Sequence, residues 1–283
     1  MSGFSASWLA LREPADHRSR NEQLRARLVR ALGQAVSREQ ILMITDLGCG
    51  TGSNLRALAP VLHPRQAWRL VDYDKALLAE ARSQLMHWAD RCETYGEKVV
   101  LLKDGCEIAV SFEQHDLNLQ LEHVLGLPSH LVTAAAFFDL VSESWIERFC
   151  QALTSVFYTV LTYDGHEQWL PEHPADSRMR NAFHAHQATD KGFGVASGPR
   201  ATDVMVTWLN RVGFQVERAQ SPWVLSQQMD HALMTALAQG SAGAVSETGQ
   251  LSAEDIRSWL NARQQAQSCV VGHEDLLAIP PKN

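Results

Sequence analysis

Three glycines at alternate positions, Gly48, Gly50 and Gly52, follow a short apolar run that carries an acid, Ile44-Thr45-Asp46-Leu47. A turn stripped of side chains lets a ligand lie directly against backbone N–H groups. The spacing is G-x-G-x-G. A dinucleotide turn uses G-x-G-x-x-G, and its third glycine position is Ser53 here. Asp46 under the turn repels a pyrophosphate and suits a ligand with a cationic end. Further on, Trp68-Arg69-Leu70-Val71 ends in Asp72. An acid at the tip of a second strand can accept hydrogen bonds from both ribose hydroxyls. Tyr73 can then lie against the sugar or the base, and Asp74 caps the helix that follows.

These features point to S-adenosylmethionine (SAM) rather than NAD or ATP. The chain resembles the class I SAM-dependent methyltransferases. Asp46-Leu47-Gly48-Cys49-Gly50-Thr51-Gly52 matches their first motif and Val71-Asp72-Tyr73-Asp74 their second. Gln114-His115-Asp116-Leu117 looks like their third, and Thr133–Asp139 like the end of their fourth strand. The resemblance implies one doubly wound, mostly parallel seven-stranded α/β domain over residues 1–283, with an antiparallel last strand. It implies SAM as cofactor and S-adenosylhomocysteine (SAH) as product. Asp46, Gly48, Cys49, Gly50, Gly52, Asp72 and Tyr73 are then cofactor-binding, with Asp116 at the adenine amino group and the Leu117 N–H at a ring nitrogen. The small side chain of Cys49 simply packs.

The elements that must position these residues follow from periodicity and punctuation. Leu24, Leu28 and Leu32 share one face of a helix over Arg18–Leu32, within an N-terminal helical cap of residues 1–40. Strands are expected at Ile41–Asp46 and Ala67–Asp72, with helices at Asn54–Leu62 and Lys75–Cys92. Two strands flank Asp104-Gly105, one of them the third strand of the sheet and the other an added partner. His130–Ala136 is a buried strand. Val141–Thr154 is its helix, with Trp145, Ile146 and Phe149 inward, and Ser155–Tyr163 is the fifth strand. Asp164–Ala201 is too long for a routine loop and reads as an inserted lid or substrate region. Thr202–Val212 is a helix, and Phe214–Gln220 and Cys269–Ile279 form a closing antiparallel pair. Helices near Gln227–Gln239 and Ser252–Gln267 lie between them, with Ser241–Gly249 a surface loop.

Ligands of open α/β sheets sit beyond the carboxyl ends of the strands. That selects Asp139, Tyr163, Lys191 and Phe193 as candidate acceptor-binding residues, with His186, Asp190 and Lys191 as candidate catalytic groups. Asp139 has a bland alternative as the N-cap of the next helix. Asp190 and Lys191 have one as an internal ion pair of a solvated loop. Trp8, Arg12 and Arg20 read as part of a helix packed on the domain rather than as cofactor contacts.

The formal net charge of −7 over 283 residues gives no basic footprint for nucleic acid. No run of eighteen or so apolar residues is present, so no membrane span is expected. Five cysteines without a C-x-x-C pair, and no secretory leader, suit a reducing cytoplasm. Twelve histidines complete no recognisable zinc spacing, so no metal is expected. The reading is transfer of a methyl group to a small-molecule acceptor. RNA or protein as acceptor would need a basic groove, a nucleotide-dependent oxidoreductase is disfavoured by Ser53, and a non-catalytic SAM-binding protein shares the same motifs. Oligomeric state is not legible.

Overall fold

The computed structural model describes residues 4–37, 39–190 and 192–281. Its strands in chain order are β1 (Leu42–Leu47), β2 (Arg65–Asp72), β3 (Arg91–Tyr95), β4 (Lys98–Lys103), β5 (Cys106–Gln114), β6 (Leu131–Ala135), β7 (Val156–Leu170), β8 (Gln215–Gln220), β9 (Trp223–Ser226) and β10 (Ser268–Ile279). Hydrogen bonding orders them β3-β4-β5-β2-β1-β6-β7-β10-β8, with β9 beside β10. β5, β2, β1, β6 and β7 are mutually parallel. β10 runs antiparallel to β7, β8 and β9. The seven strands from β5 to β8 make the expected doubly wound sheet, and β3, β4 and β9 extend it.

The helices are α1 (Ala6–Ser19), α2 (Glu22–Ala35), α3 (Ser53–Leu58), α4 (Lys75–Trp88), α5 (Leu121–Leu125), α6 (Glu143–Ala152), α7 (Asp176–Gln187), α8 (Ala201–Arg211), α9 (Gln227–Thr248) and α10 (Ala253–Gln264). Two cores cover the two sheet faces. One gathers Leu24, Leu28 and Leu32 of α2 with Leu55, Leu78 and Leu85 of α3 and α4. The other gathers Leu121, Trp145, Phe149, Met205 and Leu209 of α5, α6 and α8. β1 is apolar at most positions because both of its faces are covered.

Four departures from the sequence reading have physical causes. The N-terminal helix is two helices, broken at extended Arg20, where Asn21 caps α2 by accepting from the Leu24 N–H at 3.0 Å. α4 ends at Trp88, and Arg91–Tyr95 forms an edge strand with every residue exposed, so it carries no apolar alternation to read. Ser241–Gly249 is not a surface loop. It continues α9 to Thr248, with Ala242 and Val245 buried, and left-handed Gly249 ends the helix. Lastly, β7 does not stop at Tyr163. It pairs with β6 only from Val156 to Val160, then runs on beside β10 to Leu170. The upper halves of β7 and β10, joined by β9, therefore stand above the carboxyl ends of the parallel strands. α7 and α9 pack on this wall, with α10 against α9.

One buried acid joins the N-terminal helices to this wall. Asp275 is fully buried on β10. Its Oδ1 accepts from the Leu161 N–H at 2.9 Å and its Oδ2 from the Asn21 N–H at 2.8 Å. Leu161 has a positive φ of 59°, at the β7 bulge where its amide leaves the ladder. Asp275→Ala strands both amides, and each unpaired buried amide costs roughly 1–3 kcal/mol. The variant should lose about 3 kcal/mol in urea unfolding. A loss below about 1 kcal/mol would remove Asp275 from this role.

Candidate functional site

The chain leaves β1 at Leu47 and turns through Gly48, Gly50 and Gly52 into α3, with φ of +62°, +53° and +78° at the three glycines. A Cβ at Gly48 would sit 2.6 Å from the Phe137 ring, so both backbone angle and space require glycine there. The turn is held from β2. The Cys49 N–H donates to the Val71 carbonyl at 3.1 Å. The Gly50 N–H donates to Asp72 Oδ2 at 2.8 Å, and Asp72 Oδ1 accepts from the Asp74 N–H at 2.9 Å. Asp72 thus positions the glycine turn and also lines the cleft beside it. Burial pushes its carboxyl above the ordinary range, against the pull of these bonds. Asp74 caps α4 as expected.

Asp46 lies fully buried under the turn. Its Oδ1 accepts from Asn54 Nδ2 at 2.8 Å, while its Oδ2 has no partner. Burial raises its carboxyl to about 7; the Asn54 bond and the Arg20 charge oppose the rise, and Asp72 adds to it. Arg20 is buried too. Its Nη1 donates to Asn54 Oδ1 at 2.8 Å and its Nε is unpaired. Asn54 therefore bridges a buried anion and a buried cation, each with a free polar atom, on one cleft wall.

The cleft encloses about 750 Å³. Asp46, Gly48, Cys49, Gly50, Asp72, Tyr73, Asp116 and Leu117, the residues expected at the cofactor, all line it. Gly52 stands behind the turn, against Leu85. The N-terminal cap forms another wall: Phe4, Leu9, Arg12 and Arg20 line the cleft, so Arg12 and Arg20 are not only the packing residues the sequence reading made them. Cys49 is buried, and burial pushes its thiol well up, so it stays neutral.

A second chamber of about 170 Å³ opens beside the first. Phe4, Arg12, Ala136 and Leu140 line both. The chain turns sharply after β6, with φ of +50° at Ala136, and a 3-10 turn over Phe138–Leu140 presents Asp139 to the second chamber. Asp139 is not the N-cap of α6; Ser142 is. Burial lifts the Asp139 carboxyl to about 6. The tall β7–β10 wall supplies Tyr163, Glu167, Trp169 and His273, and β9 supplies Trp223. Tyr163 and His273 are cross-strand partners. Burial keeps His273 neutral, its imidazole lowered to about 3. Arg12 is already committed: it donates to Asp16 at 2.9 and 3.2 Å, and its guanidinium lies 5.1 Å from the Trp223 ring centre.

Of the proposed acceptor residues, Asp139 and Tyr163 reach this chamber, and Phe193 does not. Phe193 meets Phe137 and Trp145 edge-on and lines the larger cleft, because Asn118 Nδ2 donates to the Gly192 carbonyl at 3.1 Å and draws the loop there. His186 pairs with Glu247 of α9 at 3.0 Å, and Asp190 accepts from the Gly192 and Gly194 N–H groups at 2.7 and 3.0 Å. Neither lines either of these two cavities. Lys191 lies outside the described residues. Glu167, Trp223 and His273 escaped sequence reading because only the pairing of β7 and β9 with β10 brings them together. Among the described residues, no group of three or more His, Cys, Asp or Glu could hold a metal ion, and no helix is long and apolar enough to cross a membrane.

No family model matches the chain, and no curated protein matches it. Solved structures do. A SAM-dependent methyltransferase from Geobacter sulfurreducens, solved with SAH, is 14% identical over 99% of this chain and 100% of its own, with a TM-score of 0.44. A SAM-dependent methyltransferase from Thiobacillus denitrificans, also with SAH, is 15% identical over 97% and 98%, with a TM-score of 0.43. YjhP from E. coli is 15% identical over 95% and 98%, also with a TM-score of 0.43. The likeness concerns the fold alone. With the central strands ordered β5-β2-β1-β6-β7-β10-β8, an antiparallel β10 and the glycine turn after β1, that fold is a class I methyltransferase-like α/β fold.

Proposed function

We propose that this chain transfers a methyl group from SAM to a small-molecule acceptor and releases SAH. One observation carries the reading: the paired orphans Asp46 Oδ2 and Arg20 Nε, beside a glycine turn fastened to Asp72. Buried polar atoms without partners are rare and call for an occupant. An anion and a cation bridged by Asn54 suit a zwitterion, with its ammonium at Asp46 and its carboxylate at Arg20. Asp72 and Tyr73 would hold the ribose, and Asp116 and Leu117 the adenine. A dinucleotide would set its pyrophosphate against Asp46, so an oxidoreductase fits poorly.

When bound, SAM supplies a methyl group on a sulfonium, an electrophile with a good leaving group. The protein's own task is then to bind, orient and exclude water. The N-terminal segment and the β7–β10 wall would enclose the acceptor as a cap. A chamber of 170 Å³ excludes a folded protein or RNA segment more readily than a small molecule. The net charge of −7 argues the same way. A cytoplasmic location fits the cysteine pattern.

Two measurements test the cofactor half. Asp72→Ala and Arg20→Met should each weaken SAH binding about tenfold or more in calorimetry, since each removes a charge-assisted hydrogen-bonding group. Affinities within twofold of wild type would sink the assignment of that residue.

The second is pH dependence. An ammonium against Asp46 favours its charged form, whereas the free protein holds that carboxyl at about 7. Binding below that pH must therefore displace a proton. SAH should bind about tenfold tighter at pH 8 than at pH 6, levelling off above the free carboxyl's value. In Asp46→Asn, binding should be weaker and this slope should vanish. A slope that persists in the variant would assign the proton to another group.

A further inference from the structure

The second chamber has an excess of hydrogen-bond acceptors over donors. Asp139 faces it with a carboxylate that, among the described residues, has no side-chain partner and no salt bridge. Glu167 faces it as well, and its carboxylate accepts only from the Trp169 indole N–H. Gln187 Oε1 is buried and unpaired. His273, 5% exposed, has an unpartnered Nδ1. The unpaired donor on the same wall is the Trp8 indole N–H. Among the described residues that line the chamber the cation is Arg12, which is paired with Asp16 and lies over the Trp223 ring.

Asp139 is buried and Glu167 half-buried, the nearby Arg12 charge is already paired with Asp16, and a cation brought between the two acids relieves the cost of their desolvation. Much of the remaining surface is aromatic, from Phe4, Trp8, Tyr163, Trp169, Phe183 and Trp223, with Leu140, Leu161, Leu237 and Val271 beside them. Aromatic faces attract an ammonium and accept a flat carbon body. At about 170 Å³ the chamber falls below the several hundred Å³ usual for drug-sized ligands.

Resting on the methyl-transfer reading above, we propose that the acceptor is a small primary or secondary amine with a flat or apolar body, its nitrogen held at Asp139. Asp139 belongs to the turn between Ala136 and Leu140, the two sheet-side residues that line both cavities, and it lines the second chamber beside them. The protonated amine gives one proton to the Asp139 carboxylate. The freed lone pair forms the N–C bond as the C–S bond of the sulfonium breaks, leaving SAH and a methylated ammonium. The proton on Asp139 then passes to solvent. Glu167, deeper on β7, attracts the cation without taking part in the bond change.

Calorimetry on the full chain tests this with three probes of similar shape: phenethylamine, 2-phenylethanol and 3-phenylpropionate. SAH is titrated first, and the probes are then titrated into SAH-saturated protein. The expected result is phenethylamine binding at least tenfold tighter than the alcohol, with the carboxylate weakest. Asp139→Asn, nearly isosteric, should lose at least tenfold in amine affinity while SAH affinity stays within twofold. Failure of SAH to bind would overturn the methyl-transfer reading and the acceptor assignment with it. SAH binding with no probe bound, with the alcohol or carboxylate binding as well as the amine, or with unchanged amine affinity in Asp139→Asn, would overturn the amine assignment alone.

Discussion

Asp46 and Asp72 end adjacent parallel strands, and both carboxylates are withdrawn from water at the point where the sheet meets the glycine turn. Removing a carboxylate from water is expensive unless its charge is met. Asp72 meets it with two backbone amides, Gly50 and Asp74, and so dictates the path of the turn. Asp46 meets it only in part, through Asn54, with Arg20 beyond. The left-handed glycines, the placing of Arg20 between α1 and α2, and the closure of α1 over the cleft all surround these two acids, Asp46 buried and Asp72 half-buried. A turn so fixed is organised before any ligand arrives, which keeps the cost of ordering out of binding.

A second arrangement grows from the other end of the sheet. β7 and β10 continue past their parallel neighbours, and β9 joins them. Their height turns a flat sheet edge into a wall. Helices α7 and α9 cover its flank, and Trp169 and Trp259 meet edge-on inside that layer. Asp16 links this wall to the N-terminal helix by accepting from both Arg12 and the Trp223 indole at 3.0 Å. The two cavities therefore share a wall made by residues far apart in sequence. Phe4, Arg12, Ala136 and Leu140 are what a ligand in either one would touch.

The glycine-turn side of the cleft was legible because its pattern is local. Asp46, Gly48, Gly50 and Asp72 reach the cleft by short stretches of chain, and alternation fixes which side each residue faces. Asp116 and Leu117 follow from the end of β5 for the same reason. Long-range pairing was not legible. Tyr163 could be placed at a strand end, yet its partner His273 lies 110 residues on, and no local pattern announces that register. The fully exposed β3 gave no alternation. The small residues of Ser241–Gly249 read as a loop, whereas Ala242 and Val245 are buried within α9. His186 and Asp190 drew notice as polar residues in a long connection, but their hydrogen bonds go to Glu247 and to the loop's own backbone.

The most direct test of the central claim is calorimetric titration of the purified chain with SAH and, in parallel, with NADH. A buried Asp46 carboxylate beside the turn should accept a zwitterionic nucleoside and refuse a pyrophosphate. The expected result is micromolar SAH binding with no NADH binding. NADH binding without SAH would contradict the account and make the glycine turn a divergent dinucleotide site.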